Sequence, residues 1–341
     1  MTPRFPLGAW TMDGTAGVRT GVMVCGHGSR DADAIREFQD MAKALGGRLP
    51  QYDLESGFLE FARPVIRDGL EALKARGAKR ILAVPGMLFA AGHVKNDVPS
   101  EINEFARANP GIELRFGRDL AIDPRMLRAA AERVAEAETR TGGGIARNET
   151  LLLVVGRGTN DSDANSNVSK VARMLWEGMG FGWAEAAYSG VTSPLVDAAL
   201  ARAVRLGFRR IVVFPYFLFT GVLVKRIYEW TDQAAAAHPE IEFVKADYLN
   251  DHPLVLETFV DRVNEIVAGT GNMNCQMCKY REQVIGFEKD RGAPQAGHHH
   301  HVRGIGTDAD HSHHHDHDHD HGHDHGHGHH HHRGNGNGRK K

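Results

Sequence analysis

Arg80-Ile-Leu-Ala-Val-Pro85 returns 130 residues later as Arg210-Ile-Val-Val-Phe-Pro215. The same offset carries Gly26-His-Gly-Ser29 onto Gly156-Arg-Gly-Thr159, Pro64 onto Pro194, and Val94-Lys95 onto Val224-Lys225. Chance does not keep one spacing across separated blocks, so the chain holds two copies of one unit. Within each copy, short apolar runs of strand length alternate with segments of helical periodicity. Strands are expected at 21–25, 54–59, 80–84 and 112–116, with helices near 35–45, 64–76, 100–108 and 124–139. The second copy repeats this order, with strands at 151–155, 184–189, 210–214 and 241–246 and helices near 169–177, 194–206, 224–237 and 253–268. Continuous apolar strands separated by helices predict an α/β fold of two tandem homologous parallel-sheet domains. Residues 18–140 form the first repeat and 150–269 the second, joined through Thr141-Gly-Gly-Gly144. Ligands of such sheets sit beyond the C-terminal strand ends, where the Gly-rich turns and post-proline loops of both copies would converge.

Charge excludes several classes of partner. Lys plus Arg number 41 against 43 Asp plus Glu, a formal net charge of -2, so no bulk attraction to nucleic acid is expected. No apolar run approaches the length of a membrane span, and the N-terminal stretch lacks the pattern of a secretory signal. A cytoplasmic protein with a small-molecule partner is the expectation.

Histidine is concentrated at the C-terminus. Of 22 histidines, only His27, His93, His238 and His252 precede residue 290; the other 18 lie between His298 and His332, interleaved with Asp and Gly. Such a stretch cannot bury apolar surface, so residues 298–341 are expected to be a disordered tail able to hold divalent metal ions. Residues 270–297 form a separate segment containing Cys275-Gln-Met-Cys278. Two thiols at this spacing in a reducing compartment suggest an iron–sulfur cluster or another metal, although a cluster commonly takes four thiolates. A labile zinc site or a redox pair is the alternative.

The two copies differ in their chemistry. His27 is replaced by Arg157 and His93 by Leu223, so the first copy alone carries two strand-end histidines. Neutral imidazole ligates first-row divalent metals and accepts protons near neutral pH. No phosphate-binding Gly-Lys-Ser/Thr loop follows Gly26, no dinucleotide fingerprint is present, and Arg30 occupies the final position of a would-be nucleophile elbow.

Three blocks of the first copy together resemble the sirohydrochlorin cobaltochelatase family. They are Gly26-His-Gly-Ser-Arg30, Gly57-Phe-Leu-Glu60, and Pro85 through Leu88, Gly92-His93-Val94 and Asp97-Val-Pro99. Members are class II chelatases, which insert a metal into a tetrapyrrole without ATP. The length, the degenerate second half, the Met273-Asn-Cys275-Gln-Met-Cys278 element and the histidine-rich tail resemble the long form of that family. The resemblance implies that His27 and His93 are the metal-binding and catalytic pair, with Glu60 as proton acceptor or relay, Co2+ as substrate metal, and a cluster at Cys275 and Cys278. It also implies sirohydrochlorin, a polycarboxylate, as substrate. Ser29, Arg30, Lys95, Arg157 and Lys225 are then the expected substrate-binding groups, with Arg63 and Arg226 nearby. Iron or nickel chelation, and metal storage, remain open alternatives.

Overall fold

The computed structural model describes residues 17–142 and 144–271, together with Lys289. Cys275, Cys278 and the tail 298–341 lie outside the described residues. The first repeat runs β1 (Thr20–Gly26), α1 (Ala32–Arg48), β2 (Asp53–Phe58), α2 (Ile66–Ala75) and β3 (Arg80–Pro85). A π-helical turn (His93–Asp97) then leads directly into α3 (Val98–Ala108), β4 (Glu113–Phe116) and α4 (Pro124–Arg140). The second runs β5 (Thr150–Gly156), α5 (Ser162–Met179), β6 (Trp183–Tyr188), α6 (Val196–Val204), β7 (Arg210–Pro215), α7 (Val222–Ala237), β8 (Glu242–Lys245) and α8 (Pro253–Ala268). All strands pair in parallel, in the orders β2-β1-β3-β4 and β6-β5-β7-β8.

The offset of 130 holds from β1 to β7 and then shortens to 129. Arg80 pairs with Glu113 while Arg210 pairs with Glu242, and α4 and α8 begin at Pro124 and Pro253. The extra residue of the first repeat lies in the π-helical turn and α3, because Val94-Lys95 match Val224-Lys225 at 130 whereas the helix ends Ala108 and Ala237 match at 129. Another departure lies in α1, which continues through Gly46-Gly47, where the sequence predicts a stop. Two helical glycines cost roughly 2 kcal/mol against alanine. Burial of Leu49, whose N–H caps the carbonyls of Leu45 and Gly46, offsets that cost.

Each buried strand has two apolar faces. Val22, Val24, Leu82 and Val84 face a central core shared with Leu152, Val154, Val212 and Phe214 of the second sheet. Met23, Cys25, Ile81 and Ala83 face the opposite way, onto a smaller core under α2 and α3. Leu151, Leu153 and Val155 do the same toward α6 and α7. The central core contains Phe38 and Met41 of α1, Met126 and Val134 of α4, Val168 and Val171 of α5, and Phe259 and Val263 of α8. These four helices form one layer between the sheets.

Helix packing crosses the boundary between the repeats. Helix α8 packs on β3 and α1 of the first repeat, while α4 packs on α5, β7 and β8 of the second. Buried Arg262 of α8 fixes this exchange by donating to the carbonyls of Asp119 and Leu120 and to the Asp123 carboxylate. Its counterpart Arg133 on α4 donates to the Leu249 carbonyl. The repeats of the sequence are thus interlocked, each sheet being completed by the other repeat's last helix.

Candidate active site

Both repeats deliver their strand ends to one cavity of about 500 Å3. Its lining is mainly apolar, including Phe38, Phe58, Phe61, Phe89, Phe217 and Phe219. His27 follows β1 and reaches this space through a tight turn at Gly28. Gly28 has φ +103, and a Cβ there would stand 1.7 Å from the Glu60 carbonyl oxygen. Only glycine permits so close an approach of the two loops. Glu60 N–H then donates to the His27 carbonyl at 3.0 Å, which seats the Glu60 side chain beside the imidazole. His93 enters from the post-proline loop after β3, at the start of the π-helical turn.

His27, Glu60 and His93 each offer one ligand atom within 4.8 Å of the others. The two imidazole rings meet edge-on, with centroids 4.5 Å apart. His27 Nδ1 hydrogen-bonds the Gly28 carbonyl at 3.0 Å, and its Nε2 lies 3.5 Å from Glu60 Oε1. That Nε2 is buried and makes no hydrogen bond to another protein group. His93 Nδ1 is held at 2.7 Å by Asp97 Oδ2. Burial, followed by the neighbouring His93, lowers the His27 pKa to about 4. Burial also raises the Glu60 pKa, against the opposing fields of His93 and Arg157. Two imidazoles and one carboxylate, with ligand atoms this close together, form a set suited to a first-row divalent ion.

The second repeat lacks this set entirely. Arg157 stands at the position of His27, Gly190 at Glu60 and Leu223 at His93, and no acid occurs from Val224 to Ile227 to match Asp97. The first two histidine replacements are visible in the motif comparison. The Glu60 replacement emerges only when the offset is applied to the whole cluster.

Of the expected substrate-binding residues, Ser29, Arg30 and Arg157 line the cavity. The Arg30 guanidinium lies over the Phe61 ring, 4.9 Å from its centroid. Lys95 and Lys225 are placed differently from that expectation. Lys95 Nζ donates to Asp161 at 2.8 Å and Asp163 at 3.1 Å, and Lys225 Nζ donates to Asp31 at 2.6 Å and Asp33 at 3.3 Å. Each lysine thus crosses to the helix N-cap aspartate of the other repeat, where α1 and α5 begin. Opposite charge and a strand-end position explain the pairing, which engages both amines outside the cavity lining. Arg63 pairs with Asp68 at 3.6 Å, and Arg226 lies over Trp230.

Two interlocked parallel α/β sheets that meet at a cavity, with His27 and His93 on its lining and Glu60 beside them, mark a candidate metal site. Comparison with known proteins narrows that reading. The family model described as CbiX matches residues 21–137 and again 151–266. A sirohydrochlorin cobaltochelatase of Priestia megaterium is 36% identical over 269 residues, covering 77% of this chain and 85% of that protein. A sirohydrochlorin ferrochelatase of the same organism is 31% identical over 253 residues, covering 73% and 91%. Among solved structures, the sirohydrochlorin chelatase SirB from Bacillus subtilis subspecies spizizenii in complex with cobalt aligns with a TM-score of 0.63 at 26% identity, over 74% of this chain and 97% of that one. The chain belongs to the CbiX family of chelatases.

Proposed function

We propose that the protein inserts Co2+ into sirohydrochlorin without ATP, with His27, Glu60 and His93 as the reacting groups. The observation that carries this reading is the gathering of His27, Glu60 and His93 within 4.8 Å of one another, with both histidines lining a largely apolar cavity. Insertion replaces two pyrrole N–H bonds by bonds to the metal, so the site must strip water from the ion and remove protons from the ring. Imidazole nitrogens of His27 and His93 hold the substrate ion on one side and leave its remaining positions to the ring nitrogens. Glu60, whose pKa burial raises, is suited to accept a proton and pass it outward. The phenylalanine-rich lining packs the macrocycle, while Arg30 and Arg157 pair with its carboxylates and Ser29 offers a hydroxyl at the same rim. The 36% identical relative is a cobaltochelatase, which favours cobalt. Iron is the second reading, because the 31% identical relative is a ferrochelatase and SirB of Bacillus subtilis has been solved with Fe3+. Macrocycle absorbance followed with Co2+ and, anaerobically, with Fe2+ separates them. A faster rate with cobalt at equal free metal supports the first reading, and the reverse order supports the second. The histidine-rich tail fits a further role in concentrating metal near the cavity.

A further inference from the structure

Asp97 is a buried acid that lies outside the three-ligand cluster. Its Oδ2 stands 2.7 Å from His93 Nδ1, four residues back along the π-helical turn, and its Oδ1 accepts from Asn96 Nδ2 at 3.2 Å. A π turn is wider than an α turn, and Val98 N–H closes it on the His93 carbonyl. The corresponding segment of the second repeat is ordinary α-helix, beginning at Val222, one residue shorter, with Leu223 in place of His93 and no acid from Val224 to Ile227. The imidazole, the carboxylate and the widened turn therefore occur together in one repeat and are missing together from the other.

The hydrogen bond has a consequence for the ring. A neutral imidazole carries one proton, on Nδ1 or Nε2. With the proton on Nε2, the Nδ1 lone pair would face a buried carboxylate at 2.7 Å, and the N–H would point away from it. Proton placement on Nδ1 removes that repulsion and frees the Nε2 lone pair. His27 reaches the same tautomer by another route, through the neutral carbonyl of Gly28. Asp97 is itself only 3% exposed, which holds its carboxylate away from bulk water.

We propose that Asp97 is the positioning residue of His93, fixing the Nδ1–H tautomer so that the Nε2 lone pair is presented to the incoming metal. This role rests on the chelatase reading of the cavity. It requires no contact between Asp97 and either substrate. Loss of such an outer partner weakens metal binding by roughly 10- to 100-fold in comparable sites.

The test uses full-length protein labelled with 15N-histidine, with the His93 ring signals identified by their loss in His93→Gln. Long-range 1H–15N correlation reports which ring nitrogen carries the proton. Wild-type protein is expected to show Nδ1–H at His93. Asp97→Asn keeps the buried volume but can donate as well as accept, so the Nε2–H form should appear. In the insertion assay this variant should raise KM for Co2+ by about 10- to 100-fold and leave KM for sirohydrochlorin near its wild-type value. Asp97→Glu, which keeps the charge, should recover part of the loss. An Nε2–H tautomer in folded wild-type protein overturns the proposal, as does an Asp97→Asn variant with unchanged tautomer or unchanged KM for Co2+. Absence of insertion by wild-type protein with any metal would remove the chelatase reading instead, and the ring spectrum would still report on Asp97.

Discussion

Lys95→Met and Lys225→Met remove chemically equivalent partners from two ion-pair clusters that differ in solvation. The Lys95 side chain is 2% exposed and the Lys225 side chain 54%. Truncating one partner of a buried pair costs about 3–5 kcal/mol, because the other charge stays desolvated without compensation. Asp161 keeps two partners in Lys95→Met, the backbone N–H groups of Asp163 and Ala164 at the start of α5. Those donors and the helix dipole moderate the loss, so about 3 kcal/mol is expected. For a folded unit of this size that corresponds to a fall in Tm of roughly 6–12 °C. Lys225 competes with water, and its removal should leave Tm almost unchanged. Thermal unfolding followed by circular dichroism, with a urea titration to confirm a constant m-value, measures both. A Lys95→Met shift no larger than that of Lys225→Met would refute the reasoning. The double variant Lys95→Met/Asp161→Asn should recover part of the stability by removing the stranded charge.

Three further outcomes are expected. His27 stays neutral in the folded protein down to about pH 4 but protonates near pH 6.5 when unfolded, so the unfolded state binds more protons in that window. Stability should therefore fall by up to roughly 3 kcal/mol as pH drops from about 6.5 to 4, and a urea-unfolding series should show a shallower pH slope in His27→Gln. Gly28→Ala places a Cβ against the Glu60 carbonyl at φ +103 and should cost at least about 2 kcal/mol. It should also abolish insertion, because the Glu60 loop must move; a wild-type rate would contradict the placement of Glu60. A chain ending at Gly297 should bind fewer cobalt ions by equilibrium dialysis yet keep its maximal insertion rate at saturating metal. A loss of rate at saturating cobalt would make the tail part of the reacting site.

Much of the architecture was legible in local sequence. Apolar strand runs and an exact residue offset sufficed for two parallel sheets, because both signals survive without knowledge of tertiary partners. The exchange of α4 and α8 was not legible. An amphipathic helix shows which face it buries but not which sheet receives it, and nothing local to Arg133 or Arg262 names the partner each meets in the other repeat. Lys95 and Lys225 were misplaced for the same reason. Their aspartates lie in the other repeat, so each amine looked available to a substrate carboxylate. His27 and His93 stand out because Arg157 and Leu223 replace them, and the same comparison extended to Gly190 marks Glu60. The π-helical turn shows in the sequence only as the change of offset from 130 to 129, which reveals an extra residue but not the conformation it takes.

Purified protein, sirohydrochlorin and Co2+ without ATP provide the decisive spectrum. Wild-type protein should accelerate the conversion of the free macrocycle's absorbance to that of the cobalt complex. His27→Ala and His93→Ala, each folded by circular dichroism, should reduce that rate to near the uncatalysed level. Wild-type rates in both variants would contradict the assignment of the reaction to this cavity wall.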